Sequence, residues 1–330
     1  MRKIMIVSLC FIIIFTSGCK ITQTPITANS YAMGTYITQT IYGKNCSAEI
    51  IQQITSLEND LISWRIEDSQ LYNLNNGISG DISGIYDYIS QCIKIANDSN
   101  GAFNPAILPV TKLWDFGGKN QRLPKEDEIK SALKFTDYKK ISITNEKIIM
   151  PDNMQIELGA VGKGIACDKA RQICKDSGTD GAVISVGGSI MLHGNKPDGN
   201  KWTVSIRNPK GNSSDELGRL ILDGGVTVST SGDYEKTFEV DGKKYHHILN
   251  PETGYPADSG LHSVTIIHEN GLISDALSTA CFVLGYDEGI KLAQLYNAQA
   301  VFVDYNNNIY ITDGIKDSFE LISSDYTIKS

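Results

Sequence analysis

Between residues 182 and 267 the chain breaks into eight short runs separated by Gly, Asn and Asp: AVISV, SIMLHG, WTVSIRN, RLILDG, VTVST, KTFEV, YHHIL and HSVTIIH. Runs this short and this close are strands joined as hairpins, because a parallel crossover needs a dozen or more connecting residues. Around this block the pattern changes. TYITQTIY alternates as a strand over 35–42, and Ser47 stands as the cap of a helix with the stripe Ile50, Ile51, Ile54, Leu57 and Leu61. Further helices are predicted over 85–96, 105–113, 125–133, 162–177 (stopped by Gly178), 273–284 and 287–296. Hairpins are predicted at 141–143 with 147–150, around Asn145-Glu146, and in AVFVDY-NNN-IYIT. Strand and helix alternate only in the middle of the chain, so a doubly wound sheet is excluded. The expectation is an α+β fold with mixed, largely antiparallel sheets and packed helices in a single large body.

The first residues read as an export signal. Met1-Arg2-Lys3 precedes an apolar run over 4–15, too short to cross a bilayer. It ends in Thr16-Ser17-Gly18-Cys19, which resembles a bacterial lipobox, although Thr16 stands where Leu is usual; an ordinary secretory signal cut nearby would begin in the same way. The expected divisions are a lipoprotein signal peptide over 1–18, a lipidated Cys19 with a polar tether over 19–30, and a single folded body over 31–330. The expected location is outside the cell membrane, anchored by lipid to its outer face or facing a periplasm. The net charge of the 330 residues is −8, and loss of Arg2 and Lys3 with the signal leaves −10. That balance gives no basic surface of the kind nucleic acid requires. Cys46, Cys92, Cys167, Cys174 and Cys281 show no CxxC or zinc spacing and read as small buried hydrophobes, with one disulfide permitted by an exported location.

Four clusters carry chemistry-bearing side chains. In IELGAVGKG (156–164) glycines and Lys163 stand at the start of a helix, where free N–H groups suit an anion; the same pattern makes a plain strand-to-helix turn. In SDALST (274–279) Asp275 and Thr279 are four apart on one helix face, a hard-ligand pair suited to Mg²⁺, although Ser274 or Asp275 could simply cap the helix. In YHHILNPETGYP the adjacent His246 and His247 point to opposite sides of a strand, so only one faces a given cleft, as a base rather than a chelator. Met33-Gly34-Thr35, Trp64 and Gly101-Ala102-Phe103-Asn104 could sandwich a flat ring or could be ordinary core.

Taken together and in order, YAMGT, LISWRIEDSQLYNLN, GAFNPAILPVTKLWDFG, IELGAVGKGIACDKA, STSGDYEKTFEVDGKKYHHILNPETGYP and SDALSTACFVLG resemble the bacterial FAD:protein FMN transferase family, the flavin transferases also called thiamine-biosynthesis lipoproteins. The likeness covers about residues 31–310. It implies FAD as substrate, Mg²⁺ as cofactor, and transfer of the FMN half to a threonine hydroxyl of an acceptor flavoprotein with release of AMP. Flavin-carrying subunits of membrane redox pumps are the implied acceptors. It further implies that Asp275, Thr279 and the Ala160 carbonyl hold the metal and that His247, rather than His246, is the base. Met33, Trp64, Ala102, Phe103, Asn104, Glu157, Lys163 and Leu249 would contact FAD. Three positions depart from the common pattern: Glu157, Asn104 and Asn250 each stand where Asp is frequent. Two other outcomes share these features, an Mg²⁺-dependent FAD pyrophosphatase and a lipid-anchored binding protein without chemistry. The hairpin-rich stretch over 182–267 speaks against the latter, which expects two hinged βαβ halves.

Overall fold

The computed structural model describes residues 23–144, 147–212 and 214–329. Cys19, the leader before it and the Asn145-Glu146 turn lie outside the described residues. The chain opens with strands β1 (Ile26–Ala32) and β2 (Thr35–Tyr42), then helices α1 (Ser47–Ser56), α2 (Gln70–Asn75), α3 (Ser83–Asp98), α4 (Leu108–Trp114) and α5 (Glu126–Leu133). A small hairpin, β3 (Ser142–Thr144) and β4 (Lys147–Ile149), leads to α6 (Gly162–Ser177). Eight strands follow: β5 (Gly181–Val186), β6 (Ser189–Gly194), β7 (Trp202–Arg207), β8 (Glu216–Leu222), β9 (Thr227–Gly232), β10 (Thr237–Val240), β11 (Lys243–His246) and β12 (Leu261–His268). Helices α7 (Gly271–Leu284) and α8 (Tyr286–Leu295) precede β13 (Gln299–Asp304), β14 (Asn308–Ile311), β15 (Phe319–Leu321) and β16 (Thr327–Lys329).

Among the described residues nine strands form one sheet in the order β1-β2-β5-β6-β9-β12-β13-β14-β16, and β15-β8-β7 form a second. The pairings are antiparallel except that of β14 with β16. This is the α+β architecture expected from the hairpin-rich middle of the chain. One face of the large sheet is covered by helices: Ile37, Ile184, Val264 and Ile266 meet Ile50, Ile54, Ile85, Ile89, Ile165 and Leu277 in the main core. The other face is covered by the three-stranded sheet, where Leu192, Val228, Ile267 and Val301 meet Trp202, Val204, Ile206 and Leu220. Both faces of the central strands are therefore buried, and β12 is buried along nearly its whole length. A third cluster joins α4, α5 and the β10–β11 hairpin around Trp114, whose indole N–H donates to the Gly254 carbonyl (2.8 Å).

Several boundaries differ from expectation. The tether read over 19–30 is strand from Ile26 onward, because β1 pairs with β2 along its whole length. Ser47 is the first residue of α1 rather than its cap, since Asn45 Oδ1 accepts from the Ser47 amide (3.0 Å) and hydroxyl (2.7 Å). Helix α7 begins two residues early. Asn270 Oδ1 accepts the Ile273 amide (2.9 Å), and the Asp168 carboxylate accepts those of Gly271 (2.7 Å) and Leu272 (3.1 Å). Ser274 and Asp275 therefore do not cap it. The strand in YHHIL stops at His246, where the Ile248 amide turns to His246 Nδ1 (3.3 Å) and the Ile248 carbonyl accepts from Ala257 (2.9 Å).

Candidate active site

Two helix starts meet where the glycine-rich turn joins α6. A Cβ on Gly164 would collide with the Gly271 carbonyl, so glycine lets α6 and α7 approach backbone to backbone. That contact brings Asp275, buried at 3% exposure, against the first turn of α6. Gly164 is the third residue of α6, so its amide has no partner within the helix. It donates to Asp275 Oδ2 (3.0 Å). One N–H group of this helix start is thus taken by the chain's own carboxylate. Ser189 donates to Asp275 Oδ1 (3.3 Å), and the Lys163 ammonium lies 3.7 Å from the same oxygen. Burial pushes the Asp275 carboxyl up, opposed by Lys163, and Asp275 in turn raises Lys163.

One turn along α7, Thr279 Oγ1 lies 3.3 Å from Ser231 Oγ, and both line a cavity of about 520 Å³. Within the described residues no group of three or more His, Cys, Asp or Glu could hold a metal. The donor set here is instead one carboxylate, one hydroxyl and the backbone carbonyl of Ala160 at the cavity wall. Such oxygen donors fit a hard cation such as Mg²⁺ that completes its shell with water and phosphate oxygens.

His246 and His247 face different surroundings, although the strand ends at His246 and does not itself impose the split. His246 is 8% exposed, its Nε2 donates to the Ala257 carbonyl (3.0 Å), and its ring stands edge-on to Phe282. His247 faces the cavity, and its Nδ1 lies 3.1 Å from the Glu235 carbonyl. A carbonyl only accepts, so Nδ1 carries the proton and Nε2 is a bare acceptor. Loss of hydration, helped by the neighbouring Lys236 and Lys163 charges, pulls His247 down to about 3.

The cavity brings together Met33, Trp64, Ala102, Phe103, Asn104, Glu157, Ala160, Lys163, His247, Leu249 and Thr279; Asp275 lies just behind its wall. Phe103 and Leu249 are mostly core and present little surface. Glu157 accepts the Thr111 hydroxyl (2.7 Å), and burial raises its carboxyl. At Asn104 the amide performs two tasks: Oδ1 accepts the Ala106 amide (2.8 Å) and Nδ2 donates to the Thr136 carbonyl (2.9 Å). A carboxylate cannot make the second bond, so the departure from Asp is structurally consistent here. Asn250 Oδ1 accepts the Glu252 amide (2.8 Å), a bond that Asp makes equally well.

Sequence reasoning did not single out Glu58, Arg65, Ser231, Glu235 or Lys236, which also line the cavity. Arg65 and the last three fall inside the family-like segments, and that was the available signal. Arg65 lies over the Trp64 ring, 3.9 Å from its centroid. A larger groove of about 1390 Å³, between residues 74–87 and 147–155, holds none of the predicted residues.

The chain is similar to known proteins over most of its length. The family model described as ApbE family matches residues 33–302. The FAD:protein FMN transferase of Klebsiella pneumoniae (strain 342) is 30% identical over 306 residues, covering 90% of this chain and 94% of that protein. That of Treponema pallidum (strain Nichols) is 29% identical over 324 residues, covering 90% and 89%. Among solved structures, the ApbE protein of Thermotoga maritima is similar with a TM-score of 0.80 at 31% identity, covering 89% of this chain and 99% of that one. The apo flavinyl transferase ApbE of Pseudomonas stutzeri gives 0.76 at 26% identity, covering 90% and 97%.

Proposed function

This chain belongs to the ApbE family, and from that premise we propose that it is an Mg²⁺-dependent FAD:protein FMN transferase, moving FMN from FAD to a threonine hydroxyl of an acceptor flavoprotein. The observation that carries the reading is the convergence of Lys163, Ala160, His247 and Thr279, from three separate parts of the chain, on one cavity with Met33 and Trp64.

His247 Nε2 accepts the proton of the threonine hydroxyl as its oxygen attacks the FMN phosphorus. The bond from that phosphorus to the bridging oxygen breaks, and AMP leaves with the bridging oxygen. The Glu235 carbonyl fixes the His247 tautomer, which leaves Nε2 as the bare acceptor. Lys163 sets a positive charge at the diphosphate. Held by Asp275, Thr279 and the Ala160 carbonyl, Mg²⁺ would neutralise the developing phosphate charge. With a single carboxylate among its ligands, the metal would bind together with its anionic substrate.

The lipobox-like 16–19 segment supports export and anchoring through Cys19, on the outer face of the cytoplasmic membrane or facing a periplasm. Flavin-carrying subunits of membrane redox pumps are acceptors of fitting location. The test is incubation of purified protein with FAD, Mg²⁺ and such a subunit. Flavin fluorescence that stays on the denatured acceptor, with one AMP per flavin, is the expected result. Free FMN and AMP without acceptor labelling would mean hydrolysis instead, and intact FAD would mean binding alone.

A further inference from the structure

The β1–β2 connection is a two-residue turn, Met33-Gly34, closed by the Ala32–Thr35 pair. Both residues are left-handed, Met33 at φ 55° and Gly34 at φ 68°. Glycine adopts this region freely, whereas an unbranched side chain such as methionine enters it only when its surroundings hold it there. Three features hold Met33. Its backbone amide donates to Glu58 Oε2 at 2.6 Å, a charge-assisted bond. Glu58 belongs to a π-helical turn, Leu57–Ile62, that continues α1 and is closed by the Ser63 amide donating to the Glu58 carbonyl (3.2 Å). Such widened turns re-aim side chains and recur at functional sites. Finally, Met33 Cε and Ile62 Cδ1 pack over the start of α6, 3.1 and 3.2 Å from where a Gly162 Cβ would stand. Met33, Gly34, Glu58, Ile62 and Gly162 all line the cavity.

We propose that Glu58 is a positioning residue for flavin binding: its carboxylate holds the Met33-Gly34 turn in the backbone conformation that sets the Met33 thioether as a wall of the cavity. The proposal rests on the reading that this cavity takes FAD. Glu58 acts through Met33, and the π-turn is what brings a carboxylate from the end of α1 under the hairpin.

The test is a double-mutant cycle read by FAD affinity, from quenching of flavin fluorescence without acceptor, and by thermal unfolding. Glu58→Ala is expected to weaken FAD binding about tenfold. Glu58→Gln should recover most of that loss, because its amide oxygen still accepts the Met33 N–H. In a Met33→Gly background Glu58→Ala should cost little further in affinity or melting temperature, since glycine needs no help at φ 55°. The proposal is overturned if Glu58→Ala binds FAD like the parent, if Gln fares no better than Ala, or if the full loss persists in the Met33→Gly background. If the parent protein itself fails to bind FAD, the functional reading fails. The melting-temperature cycle then still decides whether Glu58 holds the turn.

Discussion

At His247 the proton sits on the nitrogen that faces the Glu235 carbonyl, and the ring is neutral far below the usual histidine range. The kcat/KM profile should therefore show no His247 midpoint near 6.5; a limb there that disappears in His247→Ala would contradict the lowered pKa while keeping His247 as the base. The folded pKa of about 3 lies below the unfolded value of ~6.5, so the unfolded chain binds more protons between them. This residue thus favours folding fully above pH ~6.5 and loses that contribution as pH falls toward 3. His247→Ala should slow transfer roughly 10²–10⁴-fold, with a far smaller change in FAD affinity. His246→Ala instead loses the bond to Ala257 and the Phe282 contact, so its effect should appear chiefly in the melting temperature. If His246→Ala were the variant that stalled transfer, the two imidazoles would have to exchange roles. Asp275→Ala should abolish Mg²⁺-dependent turnover and also leave the Gly164 amide unpartnered, a cost of about 1–3 kcal/mol in urea unfolding. Metal-responsive turnover surviving in that variant would remove Asp275 from the metal site.

Among the elements, the α6–α7 crossing controls the site more than either helix does alone. Sequence periodicity gives α6 its bounds without error, from Gly162 to the left-handed Gly178 stop. It misplaces the start of α7, because the residues that satisfy the first amides are Asn270 and the distant Asp168. Gly164→Ala should separate the two helices, lowering stability by roughly 1–3 kcal/mol and weakening Mg²⁺-dependent turnover in proportion. Unchanged unfolding and turnover in Gly164→Ala would mean that the close approach at Gly271 is dispensable. The π-turn after α1 is the element that periodicity misses altogether. Its Leu57 and Leu61 continue the apolar stripe of α1, so nothing in their spacing betrays the extra residue per turn. The turn is visible only through what it does, which is to bring Glu58 to Met33.

For the whole molecule, the proposed anchor makes a prediction of its own. Cys19→Ser should move the protein from the membrane fraction to the soluble fraction in cells while the purified body keeps its transfer activity; equal partitioning of both forms would argue against lipidation. The order of most strands and helices was legible because those elements carry their own period and turn residues, whereas β1, α2, β15 and β16 were not read from the sequence. The family-like motifs were legible because the chemistry demands particular residue types at short spacing, as with Asp275 and Thr279 one helical turn apart. Those properties are local, and local physics is what a sequence records directly: the α+β class, the hairpins of the middle stretch, and the family. The tertiary structure alone decided which groups meet across the chain. Asp275 receives an amide from Gly164, Glu58 reaches the Met33 turn, Lys236 enters the environment of His247, and two separate layers bury both faces of one sheet. These pairings depend on how helices and strands pack at contact distance, and no period along the chain encodes that distance.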